Sequence, residues 1–179
     1  MFAKRLIRHP LALAGAVALL IAGCILSGQF VIIVEWTRSD KTSTETTINA
    51  EEVDLTGDET WQDHKDNIQN IVDVKFEATI TNNLASEATG EIYVSANELT
   101  TLAQIQSQGT RVLHGIVVPA SGTVTIEFNE STKYQEHLQE LLDLVETGQF
   151  WLYGIAADTP FSITIKQGSR IMVTFSAGP

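Results

Sequence analysis

Chemistry at neutral pH draws on a short set of side chains, and this 179-residue sequence carries them thinly. It has one cysteine, Cys24, four histidines and 22 acidic residues. His9, His64, His114 and His137 show no i, i+4 pair of the kind that holds a metal on a helix, and no second cysteine joins them. The densest acidic group is Asp54, Asp58, Glu59, Asp63 and Asp66 around Gly57. It lacks the ligand spacing of the twelve-residue calcium loop, and acids at that place read as the first turn of a helix. No serine stands in a nucleophile elbow and no glycine-rich phosphate loop follows a strand. Carboxylate pairs for glycoside hydrolysis are set by space rather than spacing, and the sequence singles out none. No catalytic residue, metal site or cofactor is therefore expected. Among the tryptophans, Trp151 lies inside the apolar run Phe150–Ile155 and reads as core. Trp61 with Asp58 and Asp63 is the candidate ligand contact.

Cys24 has a clearer context. Lys4, Arg5 and Arg8 precede an almost purely aliphatic run from Leu11 to Gly23, with no acid in between. A basic segment followed by a short apolar one is an export signal, and the positive charges stay on the cytoplasmic side. The run ends in Ile21-Ala22-Gly23-Cys24, which resembles the lipobox of bacterial lipoproteins. That resemblance implies a diacylglyceryl group on the Cys24 thiol, cleavage before Cys24 and acylation of the new amino terminus. It also gives the lone exported thiol a purpose, and more than one acyl chain is what stable anchoring requires. Two other readings remain open. Phe30-Val31-Ile32-Ile33-Val34 follows closely enough for an uncleaved transmembrane helix, and ordinary cleavage with free secretion is the third possibility.

The division expected is a signal segment at 1–23, lipid attachment and a short tether at 24–28, and a single domain at 29–179. A chain of that length buries roughly 68–70% of its unfolded surface and needs no disulfide. Losing Lys4, Arg5 and Arg8 from the 11 basic residues leaves a net charge of −14, which disfavours nucleic acid as a partner.

The domain reads as mainly β. Gln29–Thr37 is a strand candidate whose continuous apolar run predicts burial on both faces, and Arg38–Asn49 reads as a loop. Asp58–Asn70 is a candidate short helix with Trp61, Lys65 and Ile68 on one face. In Val72–Thr81 the residues Val72, Val74, Phe76, Ala78 and Ile80 alternate with polar ones, the pattern of a strand with one packed face. Gly90–Ala96, Arg111–Val118 and Thr123–Phe128 are further strands, with a helical turn over Leu99–Gln108. Ser131–Thr147 predicts an amphipathic helix, with Ser131 as N-cap and Gly148 as C-cap. Gln149–Ala156, Phe161–Lys166 and Arg170–Ser176 close the chain, the last two as a hairpin around Gln167-Gly168-Ser169. Short strands between turn signals predict an antiparallel β-sandwich with one amphipathic helix and short helical turns.

The element order from Val72 to Phe175 resembles the water-stress domain of late-embryogenesis-abundant proteins. The residues that carry it are Thr81-Asn82-Asn83, Glu91-Ile92-Tyr93-Val94-Ser95 and the turn Val117–Thr123. The resemblance implies an immunoglobulin- or fibronectin-like sandwich, no catalytic residues and a protective or interaction-based role. The expected function is thus a non-enzymatic domain, anchored to the cell or outer membrane on its extracytoplasmic side, that binds an envelope protein or ligand. The alternatives are a small envelope hydrolase, a solute-binding accessory subunit or a stress-protective domain.

Overall fold

The computed structural model describes residues 28–178. Their strands, in chain order, are β1 (Gly28–Glu35), β2 (Lys41–Thr44), β3 (Ala50–Asp54), β4 (Ile68–Asn82), β5 (Ala88–Ser95), β6 (Thr110–Val118), β7 (Thr123–Ile126), β8 (Gln149–Ala156), β9 (Ser162–Ile165) and β10 (Arg170–Ala177). All pairings are antiparallel, and they build a six-stranded and a four-stranded sheet stacked as a sandwich.

β4 is the spine. Val74, Phe76, Ala78 and Ile80 are buried in the alternation that its sequence predicts. Its fifteen residues take two neighbours in succession along one edge, β10 beside Ile68–Glu77 and β9 beside Ile80–Asn82. β1 then pairs with β10, and β2 with β9. The six-stranded sheet is therefore three long strands, two of them broken, with β7 on the far edge of β4. The expected hairpin at Gln167-Gly168-Ser169 does not form, because β9 and β10 run end to end in one direction. The breaks at Trp36–Asp40 and Lys166–Ser169 lie opposite each other and are stitched together. Trp36 N–H donates to Ser169 O (3.0 Å), Ser169 N–H to Thr37 Oγ1 (3.0 Å) and Gln167 N–H to Asp40 Oδ1 (2.9 Å). Lys166 pairs with Asp40, and these two hydrogen bonds hold the Asp40 carboxyl below its ordinary pKa. Side chains thus hold the turn where a hairpin ladder would otherwise have formed, and the stretch expected as a loop contains β2.

The four-stranded sheet runs β3-β8-β5-β6. Its inner face packs Val53, Ile92, Val94, Phe150 and Leu152 against the six-stranded sheet. Gly154 lies on this face, where a Cβ would sit 2.7 Å from Ile165 Cγ1 of the opposing sheet.

Two apolar predictions are corrected by the edges and bulges. β1 is an edge strand packed on one face only, so Ile32 is buried while Val31 and Ile33 are about half exposed. Val72 was expected on the packed face. A register shift against β10 between Thr174 and Phe175 makes it the extra residue of a bulge and turns it outward, leaving Ile71 and Val74 in the core.

Helices fill the ends. α1 (Glu59–His64) starts at Asp58, whose carboxylate accepts from Trp61 N–H (3.2 Å), and gives way to a 3-10 turn before Ile68 opens β4. It is shorter than expected, and Ile68 belongs to a strand. Asp58→Ala is expected to cost about 0.5–2 kcal/mol, read as a lowered urea midpoint with unchanged slope. α2 (Leu102–Gln108) carries a capping box between Thr101 and Gln104.

The expected long helix over Ser131–Thr147 is two helices, α3 (Phe128–Ser131) and α4 (Leu138–Glu146), so Phe128 is no longer on a strand. Its polar groups are used by neighbouring strand edges. Phe76 N–H donates to Ser131 Oγ (3.2 Å), and Gln135 Nε2 donates to Val74 O, covering the edge of β4 that β7 leaves open. His114 N–H donates to Tyr134 O and Glu136 N–H to Val112 O, pairing Tyr134–Glu136 with β6. His137 then turns the chain with φ +48°, and Gly148 takes φ +81° past the end of α4 as expected.

Candidate functional site

The residues singled out in the sequence do not form a site together. Cys24 and the preceding Ile21, Ala22 and Gly23 lie outside the described residues. Trp61 is in the core, 4% exposed, edge-on to Phe175 with ring centroids 5.9 Å apart. It offers no face to a ligand. Asp58 is occupied as the helix cap, and Asp63 is exposed on the solvent side of α1. His64 lies over Phe30, centroids 3.8 Å apart. Among the described residues no three His, Cys, Asp or Glu side chains converge as a metal ion would need.

A polar cluster that sequence reasoning missed lies on the outer face of the four-stranded sheet. Glu91, in the central strand β5, is 4% exposed. Its Oε1 accepts from Arg111 Nη1 (2.8 Å) and from His114 Nδ1 (2.9 Å), and its Oε2 accepts from Tyr93 OH (3.3 Å). Arg111 Nε also donates to Glu136 (3.0 Å), and His137 Nδ1 donates to Arg111 O (2.9 Å). Arg111 and His114 are three apart, a spacing that puts two residues of a regular strand on opposite faces. Two register shifts in the β5–β6 ladder bring both to one carboxylate, and Gly115 at φ +78° lies in the one between Gly90 and Ile92. Nothing in a strand pattern announces such bulges. The visible signal was Glu91 itself, an acid in a strand whose neighbours on both sides are apolar.

The electrostatics are those of a saturated network. Burial lowers the Arg111 pKa, and the hydrogen bonds to Glu136 and Glu91 outweigh it, leaving the guanidinium more basic than usual. Burial, then the Glu91 charge, raises Tyr93. His114 has the base-and-orienter half of a hydrolytic triad, a carboxylate on Nδ1 with the ring partly exposed. Among the described residues no hydroxyl or thiol hydrogen-bonds its ring. The cluster fixes β5 to β6 and to the Tyr134–Glu136 segment.

The other polar constellation lies where the two sheets part at one edge. The kink between β1 and β2 opens a cleft of about 320 Å³ against β3, lined by Glu35, Trp36, Arg38, Glu51, Glu52 and Asp54. A second hollow of about 440 Å³ continues it past Glu35, Arg38 and Asp54 to Gly57 and Asp58. Lys41 holds Glu51 (2.7 Å), and Thr56 donates to Asp54 through both Oγ1 and N–H, keeping that carboxyl below its usual pKa. Arg38 makes no ion pair or hydrogen bond among the described residues, and neither do the carboxylates of Glu35 and Glu52. Trp36 is 3% exposed and its Nε1–H reaches no acceptor.

No protein-family model and no curated protein matches this chain. Among solved structures it is similar to one of Desmodium yellow mottle tymovirus, at 12% identity and a TM-score of 0.27, covering 99% of this chain and 96% of that one. It is also similar to one of infectious bursal disease virus Gx strain, at 11% identity and a TM-score of 0.22, over 86% of this chain and 43% of that one. Scores at this level carry no statement about fold or function.

Proposed function

We propose that this chain is exported, held at the membrane through a lipid on Cys24, and acts there by binding rather than by catalysis. The observation that carries the reading is the sequence Ile21-Ala22-Gly23-Cys24 closing the apolar run behind Lys4, Arg5 and Arg8, just ahead of the first strand at Gly28. Four residues extend no further than about 14 Å, so the sandwich would stand directly on the membrane surface. Among the described residues no helix is long and apolar enough to cross a membrane. Two features of the sandwich favour binding. Its buried charges are satisfied by one another around Glu91, whereas the cleft beside Trp36 keeps donors and acceptors unpaired.

Intact mass of the protein taken from its native membrane tests the anchor. The expected species starts at Cys24 and carries added acyl mass, and Cys24→Ser abolishes both the cleavage and the addition. A full-length, unacylated chain would replace this reading with an uncleaved membrane helix.

A further inference from the structure

The large apolar side chains left in water are not scattered. Among the described residues there are five, and three of them, Val31, Ile33 and Val72, share the outer face of the six-stranded sheet. Register gathers them. Val31 stands opposite Thr174 and Ile33 opposite Met172 of β10, and these in turn face Asp73 and Lys75 of β4. Met172 is half-buried beside Ile33, and Val72 lies two strands from β1, about 10 Å away. The bulge that turns Val72 outward completes the patch. Apolar side chains collected on one face mark a contact surface, whereas single ones do not.

The charges around the patch nearly cancel. The outward charged residues of β1, β10 and β4 are Glu35, Asp73, Lys75, Glu77 and Arg170. Lys75 pairs with Asp73 (2.8 Å) and Arg170 Nε with Glu77 (3.0 Å), which leaves Glu35, at the end of β1 farthest from Cys24. The net charge of −1 on these strands contrasts with −14 for residues 24–179, so charge does not hold this face away from lipid.

Position argues for what covers it. β1 opens at Gly28, four residues after Cys24, so a chain held at Cys24 starts this strand within about 14 Å of the bilayer. So short a tether keeps the face at high local concentration beside the lipid, and a weak apolar contact then suffices. β1 is also the last strand of its sheet, and among the described residues its free edge makes no backbone hydrogen bond. Those groups need water or headgroups, which confines the contact to the interfacial layer.

We propose that the outer face of β1, β10 and β4 lies on the lipid surface, with Val31, Ile33, Val72 and Met172 seated among the headgroups and the first acyl carbons. The proposal rests on the membrane attachment stated above and adds an orientation to it. The sandwich lies on its larger sheet, and the four-stranded sheet with its Glu91 cluster is turned away from the membrane.

Tryptophan fluorescence of the full-length chain in phosphatidylcholine vesicles, with and without lipid brominated on its acyl chains, provides the test. Val72→Trp is the probe, because Val72 is far from Cys24 in sequence and only the folded face brings it to lipid. Val117→Trp, exposed on the outer face of the other sheet, is the control, and the wild type gives the baseline of the native tryptophans. Brominated lipid is expected to quench the added emission of Val72→Trp about threefold more than that of Val117→Trp. Adding Val31→Asp and Ile33→Asp should bring Val72→Trp down to the level of the control, with the thermal midpoint reporting that the domain remains folded. Equal quenching at positions 72 and 117 would overturn the proposal. So would emission from Val72→Trp that is blue-shifted yet unquenched, the result of a second copy covering this face. Intact mass of the same samples separates the two readings. An acylated chain with unquenched Val72→Trp would sink the docking and leave the anchor standing. A full-length, unacylated chain with quenched Val72→Trp would keep the docking and remove the lipid.

Discussion

Replacing Glu91 with leucine is expected to destabilise the domain by about 2–4 kcal/mol, a drop in thermal midpoint of roughly 5–15 °C for a chain of this size. Removing one partner of a buried ion pair costs most when the other is stranded. Here the stranded groups are the Arg111 guanidinium, the His114 ring and the Tyr93 hydroxyl, all of which lose their acceptor at once. The loss is moderated because Arg111 keeps Glu136 and is about a third exposed, so water reaches it. The double variant Glu91→Leu/Arg111→Met should recover part of the stability, because an apolar replacement of both partners leaves no uncompensated charge. Urea unfolding of the wild type, both single variants and the double variant checks this. If Glu91→Leu alone is neutral, the network contributes nothing net. If the double variant is worse than the sum of the singles, the account of stranded charge fails.

Gly154→Ala is expected to cost about 1–3 kcal/mol for the addition of a single methyl group. The added carbon would sit 2.7 Å from Ile165 Cγ1 and 2.8 Å from Cδ1, distances that a side chain clamped between two sheets cannot relieve by rotating away. The cost should nearly vanish in an Ile165→Ala background, where the space is already vacant. A double-mutant cycle on denaturant midpoints therefore reads a coupling of similar size to the single loss. If Gly154→Ala costs the same with and without Ile165, the penalty comes from the backbone of β8 rather than from the approach of the two sheets.

The sandwich was legible wherever a segment obeys one period throughout. Most of β4 followed from alternation, β8 from its apolar run, and the left-handed end of α4 at Gly148 from helix chemistry. What escaped was set by partners distant in sequence. Val72 faces outward because β10 slips past it, and Val31 because only one face of β1 is packed. Tyr134 and Leu138 fall at helical spacing, yet the strand edges of β4 and β6 claim Ser131, Gln135 and Glu136 and break the helix between them. The polar cluster was hidden for the same reason, since Glu91 meets Arg111 and His114 only after two bulges that no local pattern encodes. The cleft by Trp36 arises from a kink in an edge, and Trp61 drew attention instead because it stood among acids.

The placement of β10 also dictates when this domain can form. The last strand of the chain lies between the first strand and the spine, hydrogen-bonded to β1 on one side and to β4 on the other. A ribosome adding ~5–20 residues per second delivers β1 on the order of ten seconds before β10 exists. Throughout that interval the inward side of β1 has no sheet to join, and the edge of β4 that will receive β10 is open. The larger sheet cannot close before β10 has been made. It assembles only once Arg170–Ala177 can reach back to Gly28–Glu35. A truncation that removes β10 therefore takes away the centre of a sheet rather than its margin, and leaves two unpaired edges available to other molecules.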